Sequence, residues 1–484
     1  MRDKRWLLLL VAIAAMLGLR LWHIRADFPD YHFYSQDGAK FTDEGFYTSA
    51  ALNYYTLGHI YVPGGWNPGI FMPVWPLMVG LVFHFTGISV AAARSLGVVC
   101  TWISVLLVYA IGRQYRSGTF AWLTAFLVSV NALGFFYSRL AILEPALVLF
   151  LLLAIYLAGK VRPGGYALAA MVGAVFVLMT LTKTTGPFVL PAVLYPIWAR
   201  NRSERSAAWK LLAVTMGVIL LLLGAAKWIW FHRFQPDANI ILGLNPLWQL
   251  ENSPSRLARF FLRGTWIDPV LFPLALAAFV AAIAKLRFFW KDTLFVTAFL
   301  WEAGYAAFIV FHYDGPPRYF VAMIVPTVWL AGIFLEWLWQ SRRPVAWAAF
   351  ASVAVGVLWS VAYIGVYLAH PTYTMLDASQ GIRQIILTAH ASHPENRELM
   401  IGRGADQFSL LSGGFPTMDS DGPMPLADKL ETYRPGWFMA WNWDVPLRKA
   451  TVESKKRLVA RGRFEVADAR RPASVTLYQL LPKK

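Results

Sequence analysis

Apolar residues in this chain fall in long, nearly unbroken runs separated by short polar gaps, the pattern of helices that cross a membrane rather than of a soluble core. The first run, residues 6–24 (WLLLLVAIAAMLGLRLWHI), follows Arg2, Lys4 and Arg5, so the N-terminus is expected in the cytoplasm. Arg20, Trp22, His23 and Arg25 close the run in place of a small-residue cleavage site, which marks a retained helix and not a signal peptide. Further runs lie near 94–112, 119–137, 146–159, 166–182, 187–198, 211–231, 267–284, 293–311, 320–338 and 345–368.

The gaps between runs alternate in character. Those holding Arg113/Arg116, Lys160/Arg162, Arg200/Arg202/Arg205/Lys210, Lys285/Arg287/Lys291 and Arg342/Arg343 are basic, and the positive-inside rule puts them in the cytoplasm. The intervening gaps, rich in aromatics, acids and proline, then belong outside. Residues 70–88 (IFMPVWPLMVGLVFHFTGI) would invert every later gap if they spanned. With Pro73, Pro76 and His84 they are expected in the interface, or re-entering on the outer side.

The expected fold is an all-α polytopic membrane protein with about eleven transmembrane helices, twelve or thirteen if 70–88 and a partner span are counted. Interfacial helices are expected in the first outer loop, residues 25–93. From His370 the chain turns polar, carries Gly413-Gly414 and Asp419-Ser420-Asp421-Gly422, and ends in the alternating stretch SVTLYQLL. That reads as a small extracytoplasmic α/β domain over 370–484 behind a membrane module over 1–369.

Composition agrees: 57% hydrophobic residues and 22 Trp, with a mean hydropathy of +0.48, exclude an ordinary soluble enzyme. The net charge of +17 resides mainly in the short gaps, so it reports topology and not a nucleic-acid footprint. Cys100 stands alone, so no intramolecular disulfide is available.

Candidate chemistry collects on the outer side. The first loop holds Asp27, Asp30, Asp37, Asp43, Glu44 and His59 among many aromatics, and the second sets Arg139 and Glu144 at a helix mouth. Lys183 follows in TKTTGP, then Arg256, Arg259 and Arg263 within 232–266, and then His312 to Tyr319. Carboxylates and cations at one depth suit an anionic head group arriving from lipid and a nucleophile that must lose a proton. No phosphate loop, dinucleotide fingerprint, H-E-x-x-H or paired Cys/His spacing is present. Glu302 is the clear ionisable group inside a span, a relay or a neutralised packing residue.

The segments TDEGFYTSAALNYYTLGHIYVPGGWNPGIF, AARSLGVVCTWISVLLVYAIGRQYRSG, FFYSRLAILEPAL, LTKTTGPFVLP and PPRYFVAMIVP occur in that order. Over roughly residues 1–340 they resemble the lipid-linked-sugar glycosyltransferases of the C-type superfamily, particularly the aminoarabinose transferase and protein O-mannosyltransferase families. The resemblance implies transfer of a sugar from a polyprenyl (undecaprenyl) phosphate donor to a hydroxyl or phosphate acceptor on lipid A, a glycan or a protein. It places the enzyme in the bacterial inner membrane with a periplasmic site, an inverting single displacement, no nucleic-acid partner and a monomeric state.

Residue by residue, the resemblance makes Asp43 the catalytic base and Glu44 its supporting charge, with Glu144 where relatives carry Asp. Lys183 and Arg318 match positions facing the carrier phosphate. Arg263 joins them as a candidate cation, as does Arg139, which is alternatively a partner for Glu144. Tyr47, His59 and Tyr319 complete the donor and acceptor loops. Asp27, Asp30 and Asp37 read as solvated, and Arg94 as a helix anchor or a further site residue. Asn67-Pro68 departs from the Lys-Pro of aminoarabinose transferases, which points to a different sugar or acceptor. No cofactor is required; if a divalent cation (Mg or Mn) takes part, Asp43, Glu44 and Glu144 are the oxygen donors on offer.

Two other readings use the same residues. A transporter or flippase of a lipid-linked anion would need a polar path through the bilayer, for which Glu302 offers little. Alternatively the tail carries the function, with Asp419, Asp421, His390, His393, Trp437, Trp441 and Trp443 binding carbohydrate; packing over the site or acceptor binding fits those residues better.

Overall fold

The structure is a computed structural model that describes residues 4–234, 253–285, 289–311, 315–395, 397–444, 446–468 and 470–483. Arg2, Arg287, His312, Tyr313, Asp314 and residues 235–252 of the 232–266 loop lie outside the described residues.

Every predicted apolar run holds a helix. In chain order the elements of the membrane module are α1 (Lys4–Leu19), α2 (Ala39–Leu57), α3 (Pro68–Phe71), α4 (Val74–Thr86), α5 (Val90–Tyr115), α6 (Gly118–Val130) and α7 (Ala132–Tyr137). They continue with α8 (Glu144–Ala158), α9 (Tyr166–Thr182), α10 (Leu190–Asn201), α11 (Arg205–Arg233), α12 (Ser253–Gly264), α13 (Leu271–Ala284), α14 (Thr293–Phe311), α15 (Ile324–Ser341) and α16 (Arg343–Ala369). Among the described residues five helices are long and apolar enough to cross a membrane, starting at Val90, Arg205, Thr293, Pro317 and Arg343. Six shorter apolar helices accompany them, among them α4. At 1.5 Å per residue, the 13 residues of α4 reach roughly 20 Å, short of the ~30 Å hydrocarbon core.

One run is not a single helix. The stretch read as 119–137 breaks at Asn131, whose side chain accepts from Gly134 N at 2.8 Å and donates to Ile267 O at 2.7 Å. An extended residue at the break (ψ 123°) ends α6 and caps α7.

Contacts sort the gaps into two ends. At one, Arg116 pairs with Asp292 and with Glu336 (3.0 Å), and Asn201 donates to Val161 O at 3.1 Å. At the other, α2, the start of α5, the 138–144 turn, Lys183 and Arg318 come together. This is the grouping that the charge alternation predicts. The buried core between the ends includes Trp301 and Trp329, while Trp75 packs in a second cluster with residues of α2 and the tail. On the outward faces of α11 and α16, Leu220, Leu221, Trp228, Trp347, Leu358 and Trp359 stand exposed, a surface suited to lipid.

The tail folds as α17 (Thr374–Ser392), β1 (Met400–Gly402), α18 (Ala405–Ser412), β2 (Thr417–Asp419), α19 (Leu426–Tyr433), β3 (Trp437–Trp441), α20 (Pro446–Lys455), β4 (Lys456–Val466) and β5 (Ala473–Pro482). The sheet order is β2-β1-β3-β5-β4, parallel on the β2-β1-β3 side and antiparallel from β3 to β4. The alternating SVTLYQLL is β5, its pattern set by one face packed on α17 and α18.

This tail is docked directly on α2. A Cβ on Gly45 would lie 2.1 Å from Gln407 N, so α2 and the start of α18 meet backbone to backbone. Asp27, expected to be solvated, is buried instead and accepts from Thr374 Oγ1 (2.7 Å) and from Met375 N, holding the N-terminus of α17.

Candidate active site

Asp43 and Glu44 lie on α2, a helix within the 25–93 segment. Successive residues on a helix are about 100° apart, so the two carboxylates face different surroundings. Asp43 looks toward Arg318, its Oδ2 2.8 Å from Arg318 Nη1, while its Oδ1 accepts from Thr42 Oγ1 at 2.9 Å. Burial pushes the Asp43 carboxyl above the ordinary carboxylate range, with Arg318 opposing and Asp37 adding to the rise. Tyr47, one turn on along the same face, is half-buried beside Asp43, Arg318, Tyr319 and Glu144, and desolvation likewise raises its phenol.

Glu44 is fully buried and committed elsewhere. Its Oε1 accepts from Arg94 Nε (2.7 Å) and Ala141 N (2.9 Å), and its Oε2 from Arg94 Nη2 (2.7 Å) and Gln407 Nε2 (2.9 Å). All four lone-pair positions are occupied, so it braces α2 against α5, the 138–144 turn and the tail rather than sharing chemistry with Asp43. Arg94 completes the brace by donating to Ile24 O and Ala26 O, which makes it neither a simple helix anchor nor a cavity residue.

Glu144 begins α8 with Pro145 behind it, and Lys183 Nζ lies 2.5 Å from its Oε1. Burial lowers the Lys183 ammonium, with Glu144 opposing; the same ammonium sits 4.3 Å above the Tyr319 ring. Glu144 Oε2 is buried and accepts from nothing among the described residues. Arg318, Tyr319 and Lys183 therefore do converge with Asp43, Tyr47 and Glu144.

Two expected members are elsewhere. Arg139 donates to Arg20 O (2.9 Å), Trp22 O (2.6 Å) and His23 O (2.7 Å), closing the C-terminal end of α1, and pairs with neither Glu144 nor the cavity. His59 is exposed beyond the end of α2, roughly 20 Å along the helix from Asp43. Arg263 does line the cavity, its guanidinium 5.0 Å from Trp266. The cavity is about 380 Å³ and is also bordered by Gln36, Asp37, Asp43, Pro317, Arg318 and Tyr319.

Asp37 is the residue that sequence reasoning missed. It is buried, accepts from Tyr137 Oη (2.7 Å) and Ala39 N (3.0 Å), and is ion-paired with Arg318 Nη1. Its place two residues before α2 is a legible helix-start signal; the contact with Arg318, 281 residues away, is not.

Asn67, standing where aminoarabinose transferases carry Lys, closes its own loop through Val62 N, Val62 O and Gly65 O, each at 3.0 Å. The three proposed metal donors do not form a cage: Glu44 is saturated, and Asp43 and Glu144 each face a cation. Among the described residues no group of three or more His, Cys, Asp or Glu is placed to hold a metal ion. In the tail, Trp437 and Trp441 are buried in the domain core and Asp421 is paired with Arg448 at 2.6 Å, while His393 and Trp437 border a separate cavity between α17 and the sheet.

The mostly helical body, the apolar spans and the charged cleft describe a polytopic membrane protein with a small C-terminal sheet. Residues 67–230 match the model of the dolichyl-phosphate-mannose-protein mannosyltransferase family. That segment includes Glu144 and Lys183 but neither Asp43 nor Arg318. In structure the chain resembles ArnT from Cupriavidus metallidurans in the apo state (TM-score 0.60, 16% identity, 99% of this chain and 98% of that one). It likewise resembles the same protein bound to undecaprenyl phosphate (TM-score 0.58, 16% identity, 98% of each chain). The archaeal oligosaccharyltransferase AglB from Archaeoglobus fulgidus, in complex with an inhibitory peptide and a dolichol-phosphate, shares the fold at 9% identity (TM-score 0.55, 95% of this chain and 74% of that one). A search of curated sequences returns no significant match. The family match and these structures support the resemblance to polyprenyl-phosphate-sugar-dependent glycosyltransferases of the C-type superfamily.

Proposed function

We propose that the chain is a membrane glycosyltransferase that moves a sugar from a polyprenyl phosphate carrier, undecaprenyl phosphate in a bacterial inner membrane, to a hydroxyl or phosphate acceptor on the periplasmic face. The observation that carries this reading is Asp43 and Arg318 meeting at 2.8 Å on the wall of one cavity, at the non-basic end of the helices. A base and a phosphate-facing cation are the two groups a displacement from a sugar phosphate needs.

In the proposed step Asp43 takes the acceptor's proton as the acceptor oxygen attacks the anomeric carbon. The new C–O bond forms as the bond to the phosphate oxygen breaks, the carrier phosphate leaves with that electron pair, and the anomeric configuration inverts. Arg318 faces the charge that develops on the leaving group; its Nε is buried and has no partner among the described residues, a donor that a phosphate oxygen would fill. Arg263 borders the same space, and Lys183 lies behind it, over the Tyr319 ring. No step calls for a metal.

Undecaprenyl phosphate is expected to raise the melting temperature of the purified protein. Arg318→Gln is expected to weaken that binding about tenfold or more, the effect of losing a charge-assisted pair of ~1.5–3 kcal/mol. Equal stabilisation of wild type and Arg318→Gln would remove Arg318 from the phosphate site. Transfer of labelled sugar from the loaded carrier to a cell-envelope fraction tests the activity itself; label that stays on the carrier under all conditions would refute it.

A further inference from the structure

One guanidinium nitrogen at the site serves two carboxylates. Arg318 Nη1 contacts Asp43 Oδ2 at 2.8 Å and is ion-paired with Asp37 as well. Asp37 cannot swing away: its side chain is fully buried, Tyr137 Oη and Ala39 N hold its two oxygens, and Arg318 N adds a long contact at 3.4 Å. The turn before α2, the α7 helix and the start of the Pro317 segment thus fix one arginine in one orientation.

A lone arginine against a lone buried aspartate closes into a tight pair and leaves a poor base. We propose that Asp37 is a positioning residue that divides the charge of Arg318, so that Asp43 remains available to an acceptor hydroxyl while the same guanidinium faces the carrier phosphate. This rests on the reading of Asp43 as the base. It names a carboxylate whose side chain is fully buried and which acts on Asp43 through Arg318.

The groups that set the Asp43 charge all bear on the argument. From its own helix come Thr42, a hydrogen-bond donor, and Tyr47. Asp37 comes from the preceding turn, Arg318 and Tyr319 from the Pro317 segment, Glu144 from α8 and Lys183 from the end of α9. Burial raises the Asp43 carboxyl and Arg318 lowers it, and Asp37 raises it again. Removing the Asp37 charge leaves Arg318 wholly to Asp43, so the carboxyl titrates at lower pH and is a weaker base. Activity that needs ionised Asp43 rises with pH through its pKa, so this acid limb moves down.

The test follows sugar release from a panel of undecaprenyl-phosphate-linked sugars, with cell-envelope glycolipid as acceptor, in detergent and against pH. In Asp37→Asn the acid limb is expected to move down by about one pH unit, as one neighbouring charge does, with kcat down roughly tenfold. Asp37→Glu keeps the charge and is expected to hold the wild-type acid limb while losing kcat several-fold through misplacement of Arg318. An Asp37→Asn profile that is merely scaled down, its acid limb unmoved, overturns the inference, and so does complete loss of turnover in a folded variant. If Asp37→Asn gives no melting transition, Asp37→Glu decides, and wild-type kcat there overturns the proposal. Asp43→Asn on the same preparation separates the two ideas. Activity retained in it sinks the base itself, whereas an inactive Asp43→Asn beside a wild-type-like Asp37→Asn sinks only the role of Asp37.

Discussion

Asp43→Asn is expected to cut sugar transfer by about 10²–10⁴-fold, the usual worth of a positioned general base, while leaving the melting temperature nearly unchanged. Asparagine has the same shape and still accepts from Thr42 Oγ1 and faces Arg318, so the packing around α2 survives. What it cannot do is take a proton from the acceptor. Because burial has already raised the Asp43 carboxyl, wild-type activity is expected to fall on the acid side at a pH above the ordinary carboxylate range. Single-turnover rates with loaded carrier, set beside thermal melts of both proteins, check this; near-normal transfer by a folded Asp43→Asn protein would remove the residue from the chemistry.

Glu44→Ala, one residue on, is expected to fail differently. It strands the Arg94 guanidinium, 3% exposed, without a counter-charge, and leaves Ala141 N and Gln407 Nε2 without their acceptor. Removing one partner of a buried pair costs about 3–5 kcal/mol, a large part of the stability of any single fold. The expected outcome is a sharply lowered melting temperature and early proteolysis of the 370–484 segment, whose Gln407 hangs on this carboxylate. Glu44→Ala protein that melts like wild type yet transfers no sugar would return Glu44 to the catalytic set. Adjacent acids with opposite phenotypes, one chemical and one structural, are the signature of the helix that carries them.

The helices were legible in the sequence because lipid demands long apolar runs, and the two ends were legible because Lys and Arg segregate between them. Arg116 meeting Asp292 and Glu336 bears out that sorting in space. Partner choice across the fold was not legible. Nothing in the sequence near Arg139 says that its guanidinium will close the end of the first helix, or that Asp37 will reach Arg318. Which part of 25–93 would be helical was not legible for a local reason: TDEGFYTSAALNYYTL lacks the strong apolar stripe of a membrane or core helix, and its helicity comes from packing under the tail, where Gly45 admits Gln407.

The central claim, a sugar cleaved from a lipid phosphate by a base on α2, is tested most directly by phosphorus NMR of loaded carrier in detergent micelles containing the purified protein and acceptor. Without compartments, transport cannot change the spectrum; only bond cleavage can. The account predicts that the sugar-phosphate diester signal converts to that of free undecaprenyl phosphate with wild type and stays unchanged with Asp43→Asn. A diester signal that persists with wild-type protein across the donor panel, while the same protein moves loaded carrier between leaflets of a vesicle, would contradict it.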